Sequence, residues 1–287
     1  MATEAERVKV VQTESERLKQ YLAALPEDAW TKPSACALWE IRDVVAHLSS
    51  AANAYTGHIT RGLRGDTSPP AAGRPAPHIF KTHTQEERRQ WVAELGQRPI
   101  ALRERLGNDL LSVFGQNWDQ FSHLIATLGS QDWYKPCYHS FGMIPVRAVV
   151  NVGVFELTIH GWDIRSALEP SAHLSPDALP AVLDFFSECL HWFFLPDTRL
   201  PIPIRYRFAL TGALSSQWDI VVEGDTAHME SAAETTPAHA TFGCDGETFA
   251  LLMCGRIGFD AAMGDKRVIP TGDMASVQAF KKWFEGV

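Results

Sequence analysis

No run of eighteen apolar residues occurs in this sequence, so nothing in it reads as a membrane-spanning helix. The first twenty residues are dense in charge and carry no apolar signal-peptide core, which places the chain in the cytoplasm as an expectation. An excess of basic residues is also missing. Lys and Arg number 26 against 34 Asp and Glu, a formal charge of −8. A nucleic-acid or anionic-membrane partner needs a basic face, and this composition argues against both. Cysteine is scarce: Cys36, Cys137, Cys189, Cys244 and Cys254 are odd in number, widely spaced and without a C-x-x-C pair. That pattern argues against a disulfide framework or a thiolate zinc site and reads each cysteine as a small apolar residue. No internal repeat or low-complexity tract is found.

What is present is apolar and aromatic: 45% hydrophobic residues, with nine Trp and fifteen Phe. At 287 residues this is enough for two ordinary domains. Val8, Val11, Leu18, Leu22 and Leu25 recur at helical spacing until Pro26. A loop with Pro33 and two Trp follows, then a second helix from about Trp39 to Leu63. Residues 65–77 are rich in Gly and Pro and form a loop. A third helical region starts near Thr84, with Pro99 expected to kink or break it, and helix resumes over residues 117–128. Residues 133–145, with Pro136, Gly142 and Pro145, read as a loop, and a last long helix covers residues 146–168. Four long helices predict a four-helix bundle over residues 1–174. After it, residues 176–194 read as helix and 204–210, 218–222 and 238–242 as strands. Helices over 247–254 and 277–284 complete a smaller α+β domain over residues 175–287.

The chemistry concentrates on the last long helix. Glu156 and His160 stand four residues apart, on one helical face. A carboxylate and an imidazole side by side make two of the three ligands of an open, catalytic metal site. For the third, His47 lies within the apolar segment Val44-Val45-Ala46-His47-Leu48. A core-facing imidazole needs a partner, and a metal is one such partner. The plainer alternatives stand beside this: a lone core histidine is commonly just hydrogen-bonded, and a Glu-x-x-x-His pair is commonly a solvated pair. His58, eleven residues on, would lie about 16 Å further along the helix and could not share the ion. His123 also falls on a bundle helix, whereas His78, His83, His139, His173 and His239 fall in loops or polar stretches and read as exposed. Asp43 and Asp163 are spaced to orient His47 and His160, as carboxylates behind ligating imidazoles do. The alternatives are a first-turn acid for Asp43 and an Arg ion pair for Asp163.

Trp30…Pro33-Ser34…Cys36…Trp39-Glu40-Ile41-Arg42-Asp43-Val44-Val45-Ala46-His47-Leu48, followed by Glu156-Leu157-Thr158-Ile159-His160-Gly161-Trp162-Asp163-Ile164-Arg165, resembles the mycothiol-dependent maleylpyruvate isomerase family. The resemblance implies an N-terminal DinB-like four-helix bundle followed by a smaller α/β, sterol-carrier-like C-terminal domain. It implies metal ligands at His47, Glu156 and His160, and a divalent ion, zinc above all. It implies mycothiol as thiol cosubstrate, activated for S-transfer or for thiol-assisted cis–trans isomerisation of a maleylpyruvate-like electrophile. In the stretch Cys244-Asp245-Gly246-Glu247-Thr248-Phe249-Ala250-Leu251-Leu252-Met253-Cys254-Gly255-Arg256 it points to Arg256 as a catalytic residue, the alternative being an arginine that satisfies carbonyls at a helix end. Partners would then be small molecules only: an electrophilic substrate and a low-molecular-weight thiol. The alternatives are a thiol-independent metal hydrolase or lyase on the same site, or a non-catalytic protein whose C-terminal domain holds an apolar ligand. Aromatic-rich loops at 133–145 and 193–201 suit an apolar substrate.

Overall fold

The computed structural model describes residues 2–69, 85–140, 142–194, 202–233 and 235–284, which divide into two compact units at 181/182. In the first unit, α1 (Glu4–Ala23) opens on a Thr3 capping box with Glu6, the device that satisfies two orphan amides at once. Helix α2 (Ile41–Leu63) is followed by α3 (Gln85–Leu106), α4 (Leu110–Ala126) and α5 (Val146–Ser166). Helix α2 packs on α4 and α5, and α1 packs on the same two, which closes a four-helix bundle; α3 lies against α2. Helix α5 is the most enclosed of them, because nearly every turn of Val146-Arg147-Ala148-Val149-Val150-Asn151-Val152 onward places small or β-branched residues against a neighbour. A helix apolar on all sides is stable only when surrounded. The polar groups it carries inward therefore need partners, and Asn151 accepts from the buried Arg7 at 2.6 Å.

Two expectations are corrected here. Pro99 does not break the third helix, since α3 runs through it. The break falls at Gly107, whose φ of 50° opens a 3-10 turn over Gly107–Asp109 before α4 begins. Residues 133–145 are not loop throughout: β1 (Pro136–His139) pairs antiparallel with β2 (Gly142–Pro145), His139 opposite Gly142. The two prolines face each other at the open end of this two-stranded ribbon, where a missing N–H is tolerated. The 70–77 part of the Gly/Pro-rich loop, His78, His83 and residues 195–201 lie outside the described residues.

In the second unit, α6 (Leu179–Cys189) leads to a five-stranded sheet in the order β5-β4-β3-β6-β7. Its strands are β3 (Ile204–Thr211), β4 (Ser216–Glu223), β5 (Thr226–Ser231), β6 (Ala240–Asp245) and β7 (Ile269–Gly272). Strands β3 and β6 run parallel at the centre and the other pairs are antiparallel. Helices α7 (Gly246–Met253), α8 (Phe259–Gly264) and α9 (Met274–Trp283) complete the unit. Alternation on β3 sends Tyr206, Phe208 and Leu210 inward, where Phe208 meets Phe249 of α7 at 4.9 Å and Phe242 of β6 at 5.0 Å between ring centroids. Phe280 of α9 joins them at 5.4 Å from Phe208. Each such ring stabilises by roughly 1.5–3 kcal/mol through burial, so this aromatic layer outweighs any single polar contact in the unit. On the opposite face Arg207 and its cross-strand partner Asp219 pair at 2.8 Å, and Arg205 adds a second guanidinium at 2.8 Å to a carboxylate with no exposure. The chain therefore has a mixed α+β architecture, a four-helix bundle followed by a smaller α/β unit. Among the described residues no helix is long and apolar enough to cross a membrane.

The bundle presses closely on its ribbon at Gly62. A Cβ there would stand 2.7 Å from the Pro136 carbonyl and 2.9 Å from Cys137 Cβ. Helix propensity favours Gly62→Ala by about 1 kcal/mol, whereas overpacking against backbone costs about 1–3 kcal/mol. The steric effect is the larger, so Gly62→Ala is expected to lose about 1 kcal/mol of stability in denaturant unfolding. A gain in stability would show that the ribbon yields freely.

Candidate metal centre

Helices α2 and α5 run side by side, and their facing turns bring the three histidine and glutamate positions together. His47 Nε2 lies 2.8 Å from Glu156 Oε2, and His160 Nε2 lies 3.2 Å from the same oxygen. One ligand atom from each of the three falls within 4.8 Å of the others. Atoms that share one zinc ion at about 2.0–2.2 Å in tetrahedral geometry stand roughly 3.3 Å apart, so the cluster has the spacing and the two-nitrogen, one-oxygen chemistry of such a site. The side chains are 27% (His47), 15% (Glu156) and 10% (His160) exposed, which leaves the His47 side the most accessible.

Partners behind the ligands fix their orientation. His160 Nδ1 meets Asp163 Oδ2 at 2.8 Å, and Asp163 is wholly buried. With the Nδ1–H donated to Asp163, the Nε2 lone pair points at the centre of the cluster. Asp163 is thus an orienting carboxylate. Asp43 is different: its Oδ2 accepts from the Glu40 backbone amide at 3.0 Å and its Oδ1 from Arg103 Nε at 3.0 Å. The first-turn reading of Asp43 is the one the geometry supports, with α3 tied to the start of α2 as a result.

Burial alone would favour a neutral Glu156, but the charges and hydrogen bonds of His47 and His160 hold its carboxyl well below the usual range. Burial likewise opposes charge on His160, and hydrogen bonds from its ring to Asp163, Cys36 and Glu156 overcome it and raise its pKa well above the ordinary value. The cluster is one that stabilises an added positive charge.

Three neighbours were not legible as site residues. Tyr55, two turns along α2 from His47, donates from its hydroxyl to Glu156 Oε1 at 3.2 Å. Burial, then the charge of Glu156, raises its pKa well above the usual tyrosine value, so it remains a donor. Trp39 stands with its ring centroid 5.0 Å from His47 and 6.0 Å from His160, its indole N–H donating to the Gly96 carbonyl at 2.9 Å. Cys36 hydrogen-bonds His160 and forms with His160 and Asp163 a second group of metal-capable atoms within 4.8 Å. The helical spacing of Tyr55 was readable in the sequence. The Cys36 and Trp39 contacts depend on how the loop before α2 folds back, which spacing does not encode.

Two further histidines are placed by α2 and β1. His139, expected to be exposed, is only 4% so, because the β1–β2 ribbon turns it inward to stack at 6.2 Å on Tyr55. Burial and then His58 push its pKa down to about 4, against the opposing pull of Glu156. Burial, with Arg61 second, lowers that of His58. Arg256 belongs to the other unit, where its Nη1 donates to the Cys254 carbonyl at 2.8 Å just after α7. That is the helix-end contact foreseen as the alternative.

The family model described as the mycothiol maleylpyruvate isomerase N-terminal domain matches residues 11–165, more than half of the chain. The chain therefore belongs to the mycothiol maleylpyruvate isomerase N-terminal domain family. Two crystal structures of the mycothiol-dependent maleylpyruvate isomerase, one of them of a mutant, share its fold. They are 12% and 13% identical, each aligned over 94% of this chain and 93% of theirs, with a TM-score of 0.56. A ubiquinone-synthesis protein with a sterol-carrier domain aligns over 36% of this chain and 92% of its own, at 17% identity and a TM-score of 0.30. Among curated proteins none matches the sequence.

Asp163→Asn tests the orienting bond. The amide keeps the shape but can present N–H₂ to Nδ1, which favours the tautomer with its lone pair turned away from the centre. Zinc affinity, read by competition with a chromogenic chelator, is expected to fall about 10–100-fold with the helical circular dichroism unchanged. Unaltered affinity would remove Asp163 from the site.

Proposed function

We propose that the chain is a metal-dependent enzyme that activates a low-molecular-weight thiol, mycothiol, for S-transfer or for thiol-assisted cis–trans isomerisation of a maleylpyruvate-like electrophile. The observation that carries this reading is the two-imidazole, one-carboxylate cluster of His47, Glu156 and His160 in a bundle of this family. Those residues would hold a divalent ion, zinc by the chemistry of the donor set. Such an ion, with a coordination position left open, supplies a lowered thiol pKa and hence a nucleophilic thiolate at neutral pH.

The surrounding side chains have definable tasks. Asp163 keeps the His160 tautomer, and the Tyr55 hydroxyl holds the Glu156 carboxylate turned, leaving Oε2 toward the two imidazoles. Trp39 covers one side of both rings and limits the water that reaches them. In the isomerisation the thiolate sulfur adds to the carbon–carbon double bond of the electrophile and a proton or carbonyl conjugation takes up the displaced electron pair. The bond, now single, rotates, and the same sulfur leaves as the double bond reforms. In the transfer reaction the carbon–sulfur bond is kept, and the carbon that received the displaced electron pair takes up the proton that left the thiol. Arg256 is assigned to an anionic group of the substrate, which a guanidinium can bind through two parallel hydrogen bonds.

His47→Ala and Glu156→Ala are each expected to lose bound zinc by elemental mass spectrometry and to lower mycothiol-dependent turnover by about two orders of magnitude or more. Equal metal content in wild type and both variants would sink the site. Turnover by wild type without any thiol would replace the reading with a metal hydrolase or lyase. Arg256→Ala is expected to raise KM for the anionic substrate about tenfold with zinc content unchanged, the size of one lost charge-assisted contact. An unaltered KM would leave Arg256 to its helix end.

A further inference from the structure

The loop that carries Cys36 and Trp39 to the histidines closes through a tight turn, with the Trp39 amide donating to the Cys36 carbonyl at 3.2 Å. Ser34 locks it from below, its amide donating to the Trp39 carbonyl at 2.9 Å and its hydroxyl bonding the same oxygen at 2.9 Å. The third position of this turn is Leu38, at φ 71°. A left-handed backbone at that position is what a type II turn asks of glycine or asparagine, and a branched aliphatic side chain there is strongly disfavoured. Nothing in the packing compensates, because Leu38 is 85% exposed, the most exposed of the large hydrophobic residues among those described. Its neighbours in the turn are the two residues that touch the cluster: Trp39 lies against His47 and His160, and Cys36 bonds His160. A strained backbone and an unburied leucine thus coincide on the loop that edges the candidate metal centre. Strained backbone of this kind clusters at active sites and ligand clamps.

We propose that Leu38 is a specificity-determining residue that gives an apolar wall to the molecule bound at the His47–Glu156–His160 cluster, so that the favoured substrates carry an alkyl or aryl group beside the reacting centre. This rests on the thiol-binding metal reading above and names the substrate class that reading leaves open. Trp39 supplies the fixed apolar surface, held by its bond to Gly96, and Leu38 is the exposed residue beside it in the same turn. Burial of each methylene against such a surface strengthens binding, at full burial by about fourfold and at a half-open edge by about twofold.

Linear alkanethiols from ethanethiol to hexanethiol are the probe, titrated calorimetrically into the zinc-loaded full chain. Affinity for the wild type is expected to rise about twofold per methylene, and in Leu38→Gly that slope is expected to flatten. Leu38→Asn, which accepts the left-handed backbone without the apolar tip, should flatten it equally, and both variants should keep their zinc. Neither should lower the unfolding temperature by more than about 2 °C, since relief of strain offsets the added freedom of the unfolded chain. The same slope in wild type and both variants would overturn the proposal and leave the metal–thiol reading standing. A large fall in unfolding temperature with zinc lost in both variants would overturn it too, making Leu38 a support for Trp39. Absence of thiol binding to the zinc-loaded wild type would overturn both readings together.

Discussion

The bundle is organised around one buried charge, the Glu156 carboxylate. Taking a carboxylate into a helical core costs several kcal/mol unless opposite charge and hydrogen bonds meet it there. Here both oxygens are engaged: Oε2 by His47 and His160, and Oε1 by Tyr55. All four side chains come from α2 and α5, and His160 is itself held by Asp163 one turn later. Because every partner is fixed by another, α2 and α5 are restricted to one relative rotation and one register. A slip of one residue in either helix would leave the carboxylate uncompensated.

The same restriction explains how the periphery is built. Helix α3 is fastened to α2 at two places, Arg103 on Asp43 and the Gly96 carbonyl under Trp39, so the loop before α2 is held between them. The β1–β2 ribbon approaches α2 closely enough at Gly62 that only glycine fits, and this carries His139 in against Tyr55. The tail of α2 and its beginning are thereby tied to different elements, while its middle carries His47 and Tyr55. Rigidity at both ends of a helix is what a site needs when three ligands must keep their spacing within a few tenths of an ångström.

The parts of this that the sequence disclosed are those with a period. Glu156 and His160 were readable because one helical turn relates them, and His47 because an imidazole within Val44-Val45-Ala46-His47-Leu48 has nowhere to point but inward. The bundle helices and the aromatic strand Ile204–Thr211 followed from the same alternation of apolar residues. The ribbon over residues 136–145 did not, since Pro136, Gly142 and Pro145 are loop signals and two four-residue strands offer too short an alternation to outweigh them. Strand β5 was missed because Thr226-Ala227-His228-Met229-Glu230-Ser231 alternates with only two apolar residues facing in, and β7 because Ile269-Pro270-Thr271-Gly272 has no pattern at all apart from its partner β6. Pro99 and Gly107 exchanged roles: the missing amide of Pro99 was absorbed within α3, and the freedom of Gly107 at positive φ turned the chain.

Contacts set by loop conformation form the remaining class, and they change what kind of site this is. Read from spacing, the cluster is three ligands on two helices. In the structure it also has one covered side, formed by Trp39, and an orienting network of Tyr55 and Asp163. A bare three-ligand site binds a cation; one whose carboxylate is turned by a tyrosine and whose imidazole is fixed by a second carboxylate presents it in a single geometry. Preorganisation of that kind acts on the reacting atoms only if the open side is also shaped, because a nucleophile needs its electrophile held as well as itself. The facing turns of α2 and α5 are filled by His47, Glu156 and His160 themselves. The loop preceding α2 has no apolar period to guide it and bends instead on Ser34 and on the unusual backbone of Leu38.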